Sequence, residues 1–314
     1  MDPEQYPASQ LPHTDLRKRI RNDRLLYFML IPAAVWYLLF CYVPMGGIVL
    51  AFKDYRYNLG VLMSPWNGLE NFRQMFSDPD FLRALRNTLI ISFGKLVFLF
   101  PIPILVAITL NELQSKRMRR FFQTVFTFPH FISWVVLAII FTNLFSNYGL
   151  VNQLLRQFGL STISPLSKPD LFRPFLWFSA GWKEFGWDSV IYLAALASID
   201  QELYEAADLD GASRLQKIRH ITWPGIRSVV CIMLILQVGN LLGSVSFDQV
   251  FNLYSAPVYS TGDILDTFVQ RQTFQLGANF GYTTAVGLFK SVVNVLMITV
   301  ANKIVTHAGE PGLF

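Results

Sequence analysis

The chain has 314 residues, of which 53% are hydrophobic and only 15% charged, with a mean hydropathy of +0.38. Soluble domains carry about 25% charged residues, so the composition excludes an ordinary soluble protein and points to the lipid bilayer. The net charge of +5 sits largely in short basic clusters between apolar blocks, the pattern of topology anchors, and it does not call for nucleic acid as a partner.

Residues 1–24 are polar, contain Pro3, Pro7 and Pro12, and end in the basic run Arg17, Lys18, Arg19, Arg21 and Arg24. They read as an N-terminal tail. Six apolar blocks follow, at 25–50, 88–110, 121–145, 174–197, 228–247 and 283–305. A helix needs about 20 apolar residues to cross the hydrocarbon core, and only helices or closed barrels satisfy their backbone there. These runs are too long and continuous for barrel strands. The sequence therefore predicts an all-α, polytopic membrane protein with about six transmembrane helices over 25–305, followed by a short tail at 306–314.

Within the first block, Pro32, Pro44 and the pair Gly46-Gly47 predict a kink. The segment 53–86 has turn signals at Ser64-Pro65 and Asp78-Pro79, and its apolar spacing at Leu69, Phe72, Met75 and Phe76 predicts a short helix. The loop at 111–120 is short and basic (Lys116, Arg117, Arg119, Arg120); with 17–24, 198–227 and the C-terminal tail it would face the cytoplasm. Cys41 and Cys231 lie inside spans without metal-ligand spacing and read as apolar fillers.

The loop at 198–227 is patterned. Ser198 and Gln201 fit a capping box, residues 201–210 suit a short helix, and Gly211 suits a left-handed stop. A second segment, 212–220, runs into Ile221, Trp223, Pro224 and Gly225, where proline and glycine predict a bend toward span five.

Charge inside the spans marks a candidate pathway. Lys95, Lys183 and Lys290 are placed by the helical rise at a similar depth, with Glu184 and Asp188 near Lys183. They form either structural ion pairs or a cationic level that selects a polar or anionic substrate. Trp182 and Trp187 could stack on sugar rings or serve as interface aromatics. Gln237, Asn240, Ser244 and Ser246 could line a wet path or bond between helices. No phosphate-binding G-x4-G-K-[ST] loop and no hydrolase motif occurs, so neither nucleotide binding nor bond chemistry is expected of this chain.

The string Glu205-Ala206-Ala207, then Gly211, Ile221 and Pro224, resembles the EAA loop of bacterial ABC importer permeases. It departs only at Trp223, where the family carries leucine. The segments 252–271 and 282–296 and the C-terminal GEPGLF are similar to LplB-type oligosaccharide and polysaccharide permeases, a group that includes the larger permease subunit of the alginate importer. The likeness covers nearly the whole chain beyond about residue 20.

The resemblance implies a type I ABC importer permease fold in the bacterial inner membrane. It implies a second, related permease subunit, two ATPase subunits that bind the ATP and magnesium, an extracytoplasmic solute-binding protein, and an oligosaccharide substrate, with an acidic one such as alginate favoured. Glu205, Ala206, Ala207, Gly211, Ile221 and Pro224 would couple to the ATPases. An ion-coupled secondary transporter, a membrane enzyme, and a permease for another solute are the competing expectations.

Overall fold

A computed structural model describes residues 24–243, 245–275, 277 and 279–314. The tail at 1–23, with its basic run up to Arg21, and Ser244 lie outside the described residues.

The described chain is helical, and the one β-bridge among the described residues pairs Lys53 with Trp66. Among the described residues, twelve longer helices form the frame. They are α1 Arg24–Phe52, α2 Glu70–Ser77, α3 Pro79–Asn111, α4 Lys116–Thr127, α5 Trp134–Phe145, α6 Leu150–Gln157, α7 Pro169–Ala197, α8 Gln201–Leu209, α9 Arg214–Gly239, α10 Phe247–Leu253, α11 Leu265–Phe274 and α12 Phe280–His307. Their ends alternate between two poles. One pole, here called loop-rich, carries residues 53–78, 146–168 and 245–275. The other carries the α8 hairpin and the C-terminus.

Among the described residues, five helical segments can cross a membrane by length and composition: Arg24–Phe52, Pro79–Asn111, Trp134–Gln157, Arg214–Gly239 and Phe280–His307. The sixth predicted span, α7, has 29 residues, about 43 Å of helix. It carries Lys183, Glu184 and Asp188 and is less apolar for that reason.

Four predictions are corrected by the structure. The block at 121–145 is not one helix. α4 ends at Thr127, a short 3-10 turn covers Phe128–Phe131, and α5 begins at Trp134 with Ser133 as its cap. Pro129 lies in this break and has no N–H for a helical ladder. The block at 228–247 stops early: α9 ends at Gly239, Asn240 caps it, and Ser246 caps α10 by accepting from the Gln249 amide. Ser198 does not start α8. Its hydroxyl donates to Ala195 O at the end of α7, and Asp200 caps α8 by accepting from Glu202 N at 3.0 Å. The bend expected at Pro224 and Gly225 does not interrupt the helix. A π-turn over Ile218–Thr222 carries α9 through it.

The same device recurs. π-turns at Leu38–Tyr42 and Lys95–Leu99 precede Pro44 and Pro101. The wider turn removes the carbonyl that a proline ring would strike. The kink expected in α1 therefore appears as a change of helix type, from α to π to 3-10 over Leu38–Phe52. The short helix predicted near Leu69 is α2.

Three large apolar clusters hold the bundle. Near the loop-rich pole, Ile91, Leu137, Phe172, Leu176 and Val250 join α3, α5, α7 and α10. Met75, Phe81, Leu265, Phe268 and Tyr282 join α2, α3, α11 and α12. Toward the opposite pole, Ile104, Tyr192, Leu196, Ile226 and Val230 join α3, α7 and α9. α1 is different: residues 24–40 are exposed all round, and only its last turns pack on the bundle, where Ala51 is buried and Phe52 meets Phe72 of α2.

Polar bonds tie the loop-rich pole across long sequence distances. Arg173 donates to Asn87 Oδ1 at 2.7 Å and to Thr261 O at 3.1 Å, and Asn87 donates to Asp263 O at 3.0 Å. Asp263 is fully buried and accepts from Arg271 through two nitrogens, at 3.0 and 2.5 Å. The carboxylate holds the Arg271 guanidinium charged, raising its pKa further.

Candidate functional site

The EAA-like residues gather on a helical hairpin. Gly211 adopts φ +69°, a left-handed conformation that costs other residues about 1–2 kcal/mol. A Cβ there would meet nothing within 4 Å, so the requirement is conformational rather than steric. Gly211 lets Ala212 N donate back to Ala207 O at 2.9 Å, which closes α8. Ser213 and Gln216 then form a true capping box that starts α9.

Two cross-links join the hairpin limbs. Lys217 Nζ meets Asp208 Oδ1 at 2.7 Å, and the hydroxyls of Tyr204 and Thr222 meet at 3.0 Å. On the outer side of the hairpin, Glu205 and Ala206 are exposed, as are Leu203, Leu209 and Leu215. Ala207 is half-buried and borders a shallow depression with Ala212 and Ile221; Pro224 is exposed. Exposed leucines around small alanines form an apolar patch on an otherwise polar hairpin. Leu203, Leu209 and Leu215 were not singled out in the sequence. Their signal was large apolar residues inside an otherwise polar loop.

The intramembrane candidates divide between two cavities. The first, about 250 Å³, lies among α3, α7 and α9 and is lined by Lys95, Phe100, Glu184, Asp188, Tyr192 and Gln237. Lys95 is buried, and its ammonium donates to Gln249 Oε1 at 3.0 Å. Gln249, fully buried, donates in turn to Leu176 O at 2.7 Å and to Ser179 Oγ at 3.0 Å. α10 thus dips back into the bundle to hold Lys95.

The second cavity, about 410 Å³, opens at the break between α4 and α5 and includes His130, Trp134, Lys183, Glu184, Asp248 and Asn252. Glu184 borders both cavities. Its Oε2 lies 2.5 Å from His130 Nδ1, and its Oε1 lies 3.5 Å from Lys183 Nζ. Lys183 also donates to His130 O. The His130 ring stacks on Trp187 with centroids 4.2 Å apart. Gly186 permits this closeness, because a Cβ there would lie 2.1 Å from Phe126 O, pressing α7 away from α4.

The structure does not gather the three lysines around one cavity. Lys290 pairs with Asp266 at 2.6 Å, between α12 and α11, and lines neither cavity. Each lysine has a polar partner. Trp182 and Trp187 are half-exposed, and Trp182 packs edge-on to Phe141. Asn240 accepts from Asn294 at 3.5 Å and links α9 to α12 away from both cavities. His130 and Gln249 were missed in the sequence. A histidine beside proline in an apolar run was the available signal for the first; nothing in the sequence pattern marked the second.

Comparison with known proteins identifies the family. Residues 100–306 match the family described as the binding-protein-dependent transport system inner membrane component. Among curated relatives, Protein LplB of Bacillus subtilis (strain 168) is 43% identical over 94% of this chain and 92% of its own length. The polygalacturonan/rhamnogalacturonan transport system permease protein YteP of the same organism is 41% identical, again over 94% of this chain and 92% of its own length. A chain of a bacterial alginate ABC transporter, solved with an alginate pentasaccharide-bound periplasmic protein, superimposes with a TM-score of 0.86 at 39% identity, covering 95% of this chain and 99% of that one. A second crystal structure, of a transporter that imports the acidic polysaccharide alginate, gives 0.84 at 40% identity over 92% and 97% of the two chains. The all-α spans and these likenesses agree: the chain is a permease of the ABC importer type and belongs to the binding-protein-dependent transport system inner membrane component family.

Proposed function

We propose that this chain passes an acidic oligosaccharide, delivered by an extracytoplasmic binding protein, through the bundle at α3, α7 and α9, driven by separate ATPase subunits that engage the α8 hairpin. The observation that carries the coupling role is the hairpin itself: a cross-linked elbow, with exposed Leu203, Leu209 and Leu215 around Ala206, at the pole opposite the loops. ATP and magnesium would be held by those ATPases. The pole bearing the hairpin and the C-terminus would face the cytoplasm, and a related permease subunit would complete the pathway.

The acidic class rests on the substrates named for the relatives, polygalacturonan, rhamnogalacturonan and alginate, with Lys95 as the cation that the first cavity offers. A neutral saccharide is the second reading. It is favoured by Glu184 and Asp188, which stand in the same cavity and suit hydroxyl donors better than carboxylates.

The test is uptake into proteoliposomes holding the assembled importer and internal ATP, with oligogalacturonate, alginate oligosaccharide and maltooligosaccharide supplied outside with the binding protein. ATP-dependent uptake of the acidic sugars alone is expected. Preference for the neutral sugar would replace the acidic reading, and uptake without ATP would remove the importer reading altogether.

A further inference from the structure

α4 has two unlike faces. Arg119, Phe122 and Phe126 turn inward: the Arg119 guanidinium donates to Leu110 O at 3.0 Å and to Asn111 O at 2.5 Å, and Phe126 packs on Phe185 of α7 with centroids 5.2 Å apart. Lys116, Arg117 and Arg120 lie on the other face, exposed, and with Phe121 and Thr124 they surround an open cavity of about 410 Å³. Among the described residues no carboxylate lies within ion-pair distance of these three cations. Further along the same outward side the character changes. Phe121, Val125 and Phe128 are 63%, 46% and 65% exposed.

The strip from Lys116 to Phe128 is about 18 Å long. It therefore begins with three clustered positive charges and ends in bare apolar surface. That is the order of groups along a phospholipid, from phosphate to acyl chain. Topology anchoring requires basic residues near a span end, but it does not require them on one face, around a cavity, or in line with exposed aromatics. An acidic protein surface alone would complement the cations but offer Phe121, Val125 and Phe128 no apolar partner.

We infer that the outward face of α4 is a binding site for an anionic phospholipid, with the headgroup phosphate between Lys116, Arg117 and Arg120 and an acyl chain along Phe121, Val125 and Phe128. The site is independent of the transport reading and stands apart from both intramembrane cavities. Each cation removed should weaken retention of the anionic lipid about fivefold, the factor that corresponds to the attraction of one basic side chain to an acidic leaflet.

The experiment places the assembled importer in nanodiscs of phosphatidylcholine containing one-fifth phosphatidylglycerol, each lipid in turn carrying a photoreactive acyl chain. Cross-linking by phosphatidylglycerol, mapped to peptides spanning 116–128 and several-fold above that by phosphatidylcholine, is expected. K116Q/R117Q/R120Q should abolish that preference, and the charge-keeping K116R/R117K/R120K should retain it. Equal labelling by the two lipids in the wild-type protein overturns the proposal, and this arm needs no variant to fold. Two further results also overturn it: preference unchanged in the neutral variant, or loss of the ATPase subunits from that variant with lipid labelling intact, which would assign the face to a protein. Displacement of the lipid by millimolar inorganic phosphate would reassign the cluster to a free anion.

Discussion

The Tyr204 hydroxyl lies 3.0 Å from that of Thr222, one on the short limb of the elbow and the other inside the π-turn of α9. This bond ties the hairpin to the span at the point where the span is widest. Y204F should loosen the elbow by about 1 kcal/mol without unfolding the bundle. In reconstituted importer, the ratio of sugar moved to ATP hydrolysed should fall while basal hydrolysis persists; an unchanged ratio would separate the bond from coupling.

Gly211 is the second test of the elbow. G211V forces a β-branched residue into φ +69°, at a cost of about 1–2 kcal/mol, and should weaken co-purification of the ATPase subunits. G211N, which tolerates the left-handed region, should restore much of it.

Lys95 and Gln249 form a buried pair whose members depend on each other. Q249L should lower the thermal midpoint of the purified importer, because it leaves a buried ammonium without its acceptor, a loss of about 1–3 kcal/mol. The double variant K95M/Q249L should recover much of that loss, since both polar partners are then gone. Additive losses would show that the two side chains do not interact.

At the loop-rich pole, R271A should be among the most damaging single changes outside the spans. It strands the fully buried Asp263 carboxylate, at about 3–5 kcal/mol. D263N/R271A should be milder than R271A alone by the same reasoning. Differential scanning fluorimetry of the two variants would decide it.

The C-terminal tail folds back on the bundle. Asn302, buried, donates to Phe314 O at 3.0 Å and accepts from Leu313 N at 2.7 Å, and Glu310 meets Arg227 at 2.8 Å. N302A should free residues 309–314 for hydrogen exchange, whereas R227Q, which removes a half-exposed arginine from its pair with Glu310, should change exchange less.

Much of this architecture was legible in the sequence, because a run of 20 apolar residues has few ways to satisfy its backbone in lipid. The hairpin was legible as well, since Gly211 is the residue type that a left-handed stop demands. Helix ends were not. Pro129 interrupts an apolar run with only His130 beside it to announce the break, and after Gly239 apolar residues alternate with Asn240 and Ser246 without a clear stop. The lysines looked alike in sequence and proved different in space. Lys95 is held by α10, Lys183 by the α4–α5 break, and Lys290 by Asp266. Pairings over more than a hundred positions, such as Lys95 with Gln249, depend on where α10 re-enters the bundle, and no local pattern encodes that.

Pro44, Pro101 and Pro224 each stand two residues past a widened turn. Such a turn holds one residue more than an ordinary one. If it tightened to normal pitch, everything beyond it would swing about 100° around the helix axis. These three imino acids thus index azimuth. They decide which side chains α1, α3 and α9 present to their neighbours, so a proline replaced far from any cavity would be felt as rotated scenery inside it.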